Sequence, residues 1–141
     1  MFEKIIEASK NFCVHQIRES FEIHDNIIKT RTLIAYIDIE TLQEVKHRVY
    51  IASNREFIQK ISKLFLEEDE SDKETLMDML LETLNLIVGS AKVIADEANS
   101  DMYTMSTPYF DKENMFDHQY DKIKIIKIED SEMLIAIKEL S

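Results

Sequence analysis

Asp78, Glu82, Asn85, Gly89, Lys92 and Asp96 recur at steps of four, three, four, three and four. On a helix turning about 100° per residue they fall on one side. Leu80, Leu84, Ile87, Ala91, Ile94 and Ala98 fall on the opposite side and read as core-facing. The stripe offers simple but definite chemistry. A carboxylate such as Glu82 can pair with a cation. Asparagine cannot serve as a general base, but its amide has both donor and acceptor positions for a water molecule. Glu82 and Asn85 stand at i and i+3, neighbours on one helix face, so one partner can meet both at once.

A polar stripe is also what an ordinary solvated helix face looks like. Two residues depart from that reading. Asn85 is a poor helix former with no local cap to make. Gly89 costs roughly 1 kcal/mol against alanine in a helix interior. A bare spot there lets another backbone or side chain come close. The alternative, that Gly89 faces a neighbouring helix of the same chain, stays open on the sequence alone.

The helix must be held by the rest of the chain. Residues 2 to about 19 read as a first helix, with Ile5, Ile6, Phe12, Cys13 and Ile17 inward and Ser9, Asn11 and Arg18 outward. Residues 32–39 and 45–52 alternate as two strands, joined across Glu40–Glu44 as an antiparallel hairpin. Leu33, Ala35, Ile37 and Ile39 point one way and Ile34, Tyr36 and Asp38 the other, so this strand should be covered on both faces. Ser53–Glu56 has the pattern of a capping box opening a second helix, and Ser71–Glu74 that of another opening the long helix, which should run to about Asn99. Met102–Phe110 returns to β, with Pro108 marking an edge, bulge or strand end. Residues 111–120 read as a polar loop, and Lys122–Ile128 and Met133–Lys138 as a second hairpin. The expected order is α β β α α β β β. This is an α+β fold, a largely antiparallel sheet covered by long helices, in a single domain over residues 1–141.

Composition removes several function classes. The chain has 141 residues, enough to bury a core without staples, and a net charge of −11. That charge argues against nucleic acid and against anionic membrane surfaces. No stretch is long and apolar enough to span a bilayer, and the acidic start is unlike a signal peptide. Cys13 is the only cysteine, which fits a reducing cytoplasm and best reads as core. One glycine excludes glycine-rich phosphate loops. His15, His24, His47 and His118 are scattered, without the spacing of a zinc site. The chain has no evident hard-metal cage of its own.

Asp78, Glu82, Asn85 and Pro108 together match the motif Asp/Ser-x3-Glu-x2-Asn-x22-Pro at every position. By ordinary residue usage such a match arises by chance on the order of a few times in a thousand chains of this length. At these residues the sequence resembles the CheC/CheX/FliY phosphatases of bacterial chemotaxis. The run from Glu82 to Gly89 also resembles that family's Glu-x-x-Asn-x-x-x-Gly helix, and the element order agrees with the CheX type. There are departures. Leu84 stands where the family carries a glycine, and the second helix has Glu56 and Gln59 without the rest of a second motif. A single site, as in CheX, is therefore expected.

The resemblance implies an aspartyl-phosphate phosphatase acting on a CheY-like response-regulator receiver domain. Glu82 would pair with the receiver's active-site lysine, and Asn85 would hold a water in line with phosphorus. Placed on the same face, Asp78 would support Glu82 or touch the receiver's rim, Gly89 would let the receiver come close, and Lys92 would contact it or stand idle in solvent; Pro108 reads as structural. Mg²⁺ would belong to the receiver, with no cofactor of the chain's own. A homodimer in the cytoplasm is the expected state. The alternative is a catalytically silent module of the same fold that binds a receiver or a switch-complex protein. The bulk of Leu84, Leu86 and Ile87 and the missing glycine keep it in view.

Overall fold

The structure is a computed structural model and describes residues 1–25 and 30–140. Helix α1 spans Phe2–Phe12 and continues as a π-helical segment, Cys13–Ile17, that stops at Arg18 in the left-handed conformation. Three strands follow, β1 at Glu22–His24, β2 at Arg31–Thr41 and β3 at Lys46–Ser53. Helices α2, Arg55–Leu66, and α3, Lys73–Ala98, come next. The chain closes with β4 at Tyr103–Met105, β5 at Tyr109–Met115, β6 at Lys122–Ile128 and β7 at Ser131–Leu140. No described helix is long and apolar enough to cross a membrane.

The strands form one antiparallel sheet in the order β1-β6-β7-β3-β2-β4, with β5 also paired to β2. Leu33, Ala35, Ile37, Val49, Ile51, Ile126, Met133 and Ile135 point into a core shared with all three helices. The opposite face carries Ile34, Tyr50, Ala52, Ile125, Leu134 and Ala136. There the segment after β5 folds back as the cover. Phe116 is buried against that cluster, and the His118 ring stacks on Tyr50 at 4.7 Å between centroids. Two-sided coverage of β2 thus comes from helices on one side and aromatic side chains on the other.

The predicted α+β class and the alternation of helices and hairpins hold, with additions. The short strand β1 has no counterpart in the sequence reading, because three residues are too few to show a period. The β segment at 102–110 is two strands separated by residues 106–108. Residues 111–115, expected in a loop, continue β5. Their polar side chains sit on an outer strand that meets water. Ser9, expected outward, is buried, and its hydroxyl donates to the Ile5 carbonyl at 2.8 Å. Ala98 is exposed at the last turn of α3 rather than core-facing.

Both helix caps lie one residue later than the Ser-x-x-Glu pattern suggested. Asn54 caps α2 by accepting from the Phe57 amide at 3.0 Å, and Asp72 caps α3 by accepting from Thr75 at 2.8 Å. The competing serines are otherwise used. The Ser53 hydroxyl donates to the Asn54 carbonyl, and Ser71 bonds Glu68. Asn and Asp are at least the equal of Ser as caps, so the shift has no energetic cost.

Candidate functional site

Helix α3 is a 26-residue rod, capped by Asp72 and ended by Asn99 in the left-handed conformation. Leu76, Leu80, Leu84, Ile87, Ala91 and Ala95 are buried along one side. This packing fixes the rotation of the helix. It leaves Asp78, Glu82 and Asn85 exposed on the far side, with Gly89 and Lys92 half-buried beyond them.

Across from that stripe runs the edge of the sheet. Strand β4 pairs with residues 39–41 of β2 and β5 with residues 31–36. Between the two, residues 106–108 leave the ladder and rise beside α3. Pro108 has no N–H to donate, so the break falls where the ladder is weakest. Ser106 anchors the segment by three hydrogen bonds to the backbone of Asp38, at 2.9, 3.0 and 3.2 Å.

The result is an open recess of about 420 Å³ lined by Asp78, Leu81, Glu82, Asn85, Ser106, Thr107 and Pro108. Pro108, 23 residues from Asn85 in sequence, is thereby brought into the same surface as Asp78, Glu82 and Asn85. Among the described residues, the side chains of Asp78, Glu82 and Asn85 have no hydrogen-bond or ion-pair partner. Two carboxylates and a carboxamide stand free beside the 106–108 segment. They can accept from a cation, and the amide can both donate to and accept from water.

Gly89 and Lys92 continue the stripe but do not line the recess. Beyond the backbone of its own helix and its two chain neighbours, a Cβ placed on Gly89 would meet no atom within 4 Å. The reading in which Gly89 faces a neighbouring helix of this chain is therefore wrong, and the bare spot is open surface. The Lys92 ammonium bonds the Asp96 carboxylate at 2.9 Å, one turn on. Ser106 and Thr107 line the recess although they belong to no motif in the sequence. Their adjacency to Pro108 was the available signal. Among the described residues, no group of three or more His, Cys, Asp or Glu side chains gathers as a metal-holding set.

A family model described as Chemotaxis phosphatase CheX matches residues 36–128, about two-thirds of the chain. No curated protein matches the sequence. Among solved structures, the chemotaxis protein CheX from Vibrio vulnificus is similar at 17% identity and a TM-score of 0.76, covering 97% of each chain. The CheX–CheY–BeF3–Mg²⁺ complex from Borrelia burgdorferi is similar at 16% identity and a TM-score of 0.67, covering 98% of this chain and 97% of the other. The FliM middle domain from Vibrio alginolyticus shares the fold more loosely, at 8% identity and a TM-score of 0.57, over 97% of this chain and 89% of the other.

Proposed function

The chain belongs to the CheX family of chemotaxis phosphatases, and on that premise we propose that it hydrolyses the aspartyl phosphate of a CheY-like receiver domain. The observation that carries this reading is the recess, where Glu82 and Asn85 stand unpartnered beside Pro108. The likeness to a CheX protein in complex with CheY and Mg²⁺ supports the choice of partner.

An aspartyl phosphate is an acyl phosphate with a good leaving group, so orientation supplies most of what hydrolysis needs. In the proposed step a water oxygen bonds phosphorus as the bond from phosphorus to the aspartyl oxygen breaks. The products are a free carboxylate and inorganic phosphate, and the water's proton passes to phosphate or solvent. Asn85 orients the water through its amide donor and acceptor, as in other phosphoryl transfers where a carboxamide positions the nucleophile. Mg²⁺ on the receiver would neutralise charge on the phosphoryl oxygens.

Glu82 gives the receiver's active-site lysine an ion-pair partner one helix turn from Asn85. That pair fixes the register in which the phosphate meets the water. Charge pairs across an interface act mainly on specificity and encounter. Asp78 extends the acidic edge one turn earlier. Gly89 leaves room for the receiver's surface, and Lys92, shared with Asp96, offers a cation at the far end. A cytoplasmic homodimer belongs to the same proposal.

The test is the decay of a phosphorylated CheY-like receiver with and without the protein. Saturable acceleration by wild type is expected, with Glu82→Ala raising KM about tenfold or more. Tight binding with no acceleration would place the chain with the silent binding modules.

A further inference from the structure

We propose that Ser106 is a positioning residue for this reaction: through Asp38 it holds Thr107 and Pro108 as a fixed wall facing Asn85, against which the receiver seats. The inference rests on the phosphatase reading above and adds to it a residue outside the motif.

The geometry is specific. The Ser106 amide donates to the Asp38 carbonyl at 2.9 Å, and its hydroxyl donates to the same carbonyl at 3.0 Å. The Asp38 amide donates to the Ser106 hydroxyl at 3.2 Å. One side chain thus serves both main-chain groups of a residue at the gap between β4 and β5, using the hydroxyl as donor and acceptor together.

Asp38 is a firm anchor. Its carboxylate takes both Nε and Nη2 of Arg48, at 2.7 and 3.0 Å. The Arg48 guanidinium lies 4.1 Å above the Tyr36 ring. A bidentate, stacked arginine loses little freedom in holding its partner. The chain of contacts runs from the aromatic face of the sheet, through Asp38, to the lip of the recess.

Packing does not explain the clamp. Ser106 and Thr107 are exposed and belong to neither hydrophobic cluster. Strands β4 and β5 are already held to β2 on either side. What the clamp adds is a fixed distance between the 106–108 segment and α3, beside the two side chains assigned to the chemistry. The Pro108 ring, locked in φ, carries that restraint to the far end of the wall. In-line attack is intolerant of small displacements, where about 1 Å can cost up to a hundredfold.

The test compares wild type, Ser106→Ala and Ser106→Thr in turnover of a phosphorylated CheY-like receiver. Ser106→Ala is expected to lower kcat about tenfold or more with KM changed less than about threefold, and Ser106→Thr, which keeps the hydroxyl, to recover most of the loss. Wild-type kcat in Ser106→Ala, or a loss that threonine does not recover, overturns the proposal. Hydrogen exchange, measured with no receiver present, reads the clamp itself. The amide at position 106 should exchange about tenfold faster in Ser106→Ala, and an unchanged rate also overturns the proposal. A wild type that turns over no receiver refutes the phosphatase reading and this role with it, while the exchange result still decides whether the clamp orders the wall.

Discussion

The phenolic hydroxyl of Tyr103 donates a 2.7 Å hydrogen bond to the main-chain carbonyl of Val88, in the interior of α3. Tyr103 opens β4 and is 2% exposed. Val88 follows Asn85 by three residues and Tyr103 precedes Ser106 by three, so this bond sets the two sides of the recess against each other. Burial also holds the phenol's ionisation above the ordinary tyrosine range. Tyr103→Phe should destabilise the fold by about 1 kcal/mol, because a mid-helix carbonyl keeps its helical partner. Urea denaturation reads the change, and an unshifted midpoint would contradict the assignment.

Glu113 gathers the starts of three elements. Its carboxylate, 8% exposed, bonds Arg55 at 2.7 and 2.9 Å and lies 3.5 Å from Lys73 and 3.8 Å from Arg31. Arg55 and Lys73 sit at helix N-termini, where a positive charge is unfavourable, and the carboxylate offsets them. The hydrogen bonds from Arg55, more than the other charges, hold its pKa at about 2 against an ordinary 4.5. The stability from this ionisation is therefore full above about pH 4.5 and is lost as pH falls through about 2. Glu113→Gln should cost about 1–2 kcal/mol at neutral pH, discounted because the cations reach solvent. The gap from wild type should close in acid, and a gap that stays constant from pH 7 to pH 2 would refute this account.

Gly89 sits mid-helix with open space where a Cβ would stand. Gly89→Ala should therefore raise stability by about 0.5–1 kcal/mol, seen as a higher Tm. If the bare spot receives the partner, the same substitution raises KM for the phosphorylated receiver. A stabilised variant with unchanged KM would show that the partner does not approach there.

Cys13 is fully buried at the start of the π-helical segment, and burial pushes its thiol up to about 12. The thiolate is the reactive form, so a thiol reagent at pH 8 should leave the native protein unlabelled and label it fully in urea. Rapid labelling of the folded protein would contradict the packing described for α1.

Much of this was legible in the sequence because it rests on periodicity. The buried side of α3 repeats from Leu76 to Ala95, about five turns, and the rotation that exposes Asp78, Glu82 and Asn85 follows from it. The strands β2, β3, β6 and β7 alternate clearly enough to be read. What stayed hidden depends on tertiary pairing. Strand β1 has only three residues and pairs with β6, about a hundred positions away. Residues 111–115 look like a loop until β2 supplies their ladder. The recess was half visible. Its helical side is a spacing pattern, whereas its other side depends on Ser106 meeting Asp38, 68 residues apart. The two capping patterns pointed to serine because the pattern gives no weight to the asparagine or aspartate beside it.

The most direct test of the central claim is the single-turnover decay of a phosphorylated CheY-like receiver, measured at saturating protein with wild type and Asn85→Ala. Wild type should accelerate the decay. Asn85→Ala should reduce that acceleration by about a hundredfold or more while retaining the wild-type Tm and receiver affinity. An Asn85→Ala variant that dephosphorylates the receiver at the wild-type rate would contradict the role given to Asn85 and, with it, the mechanism drawn for the recess.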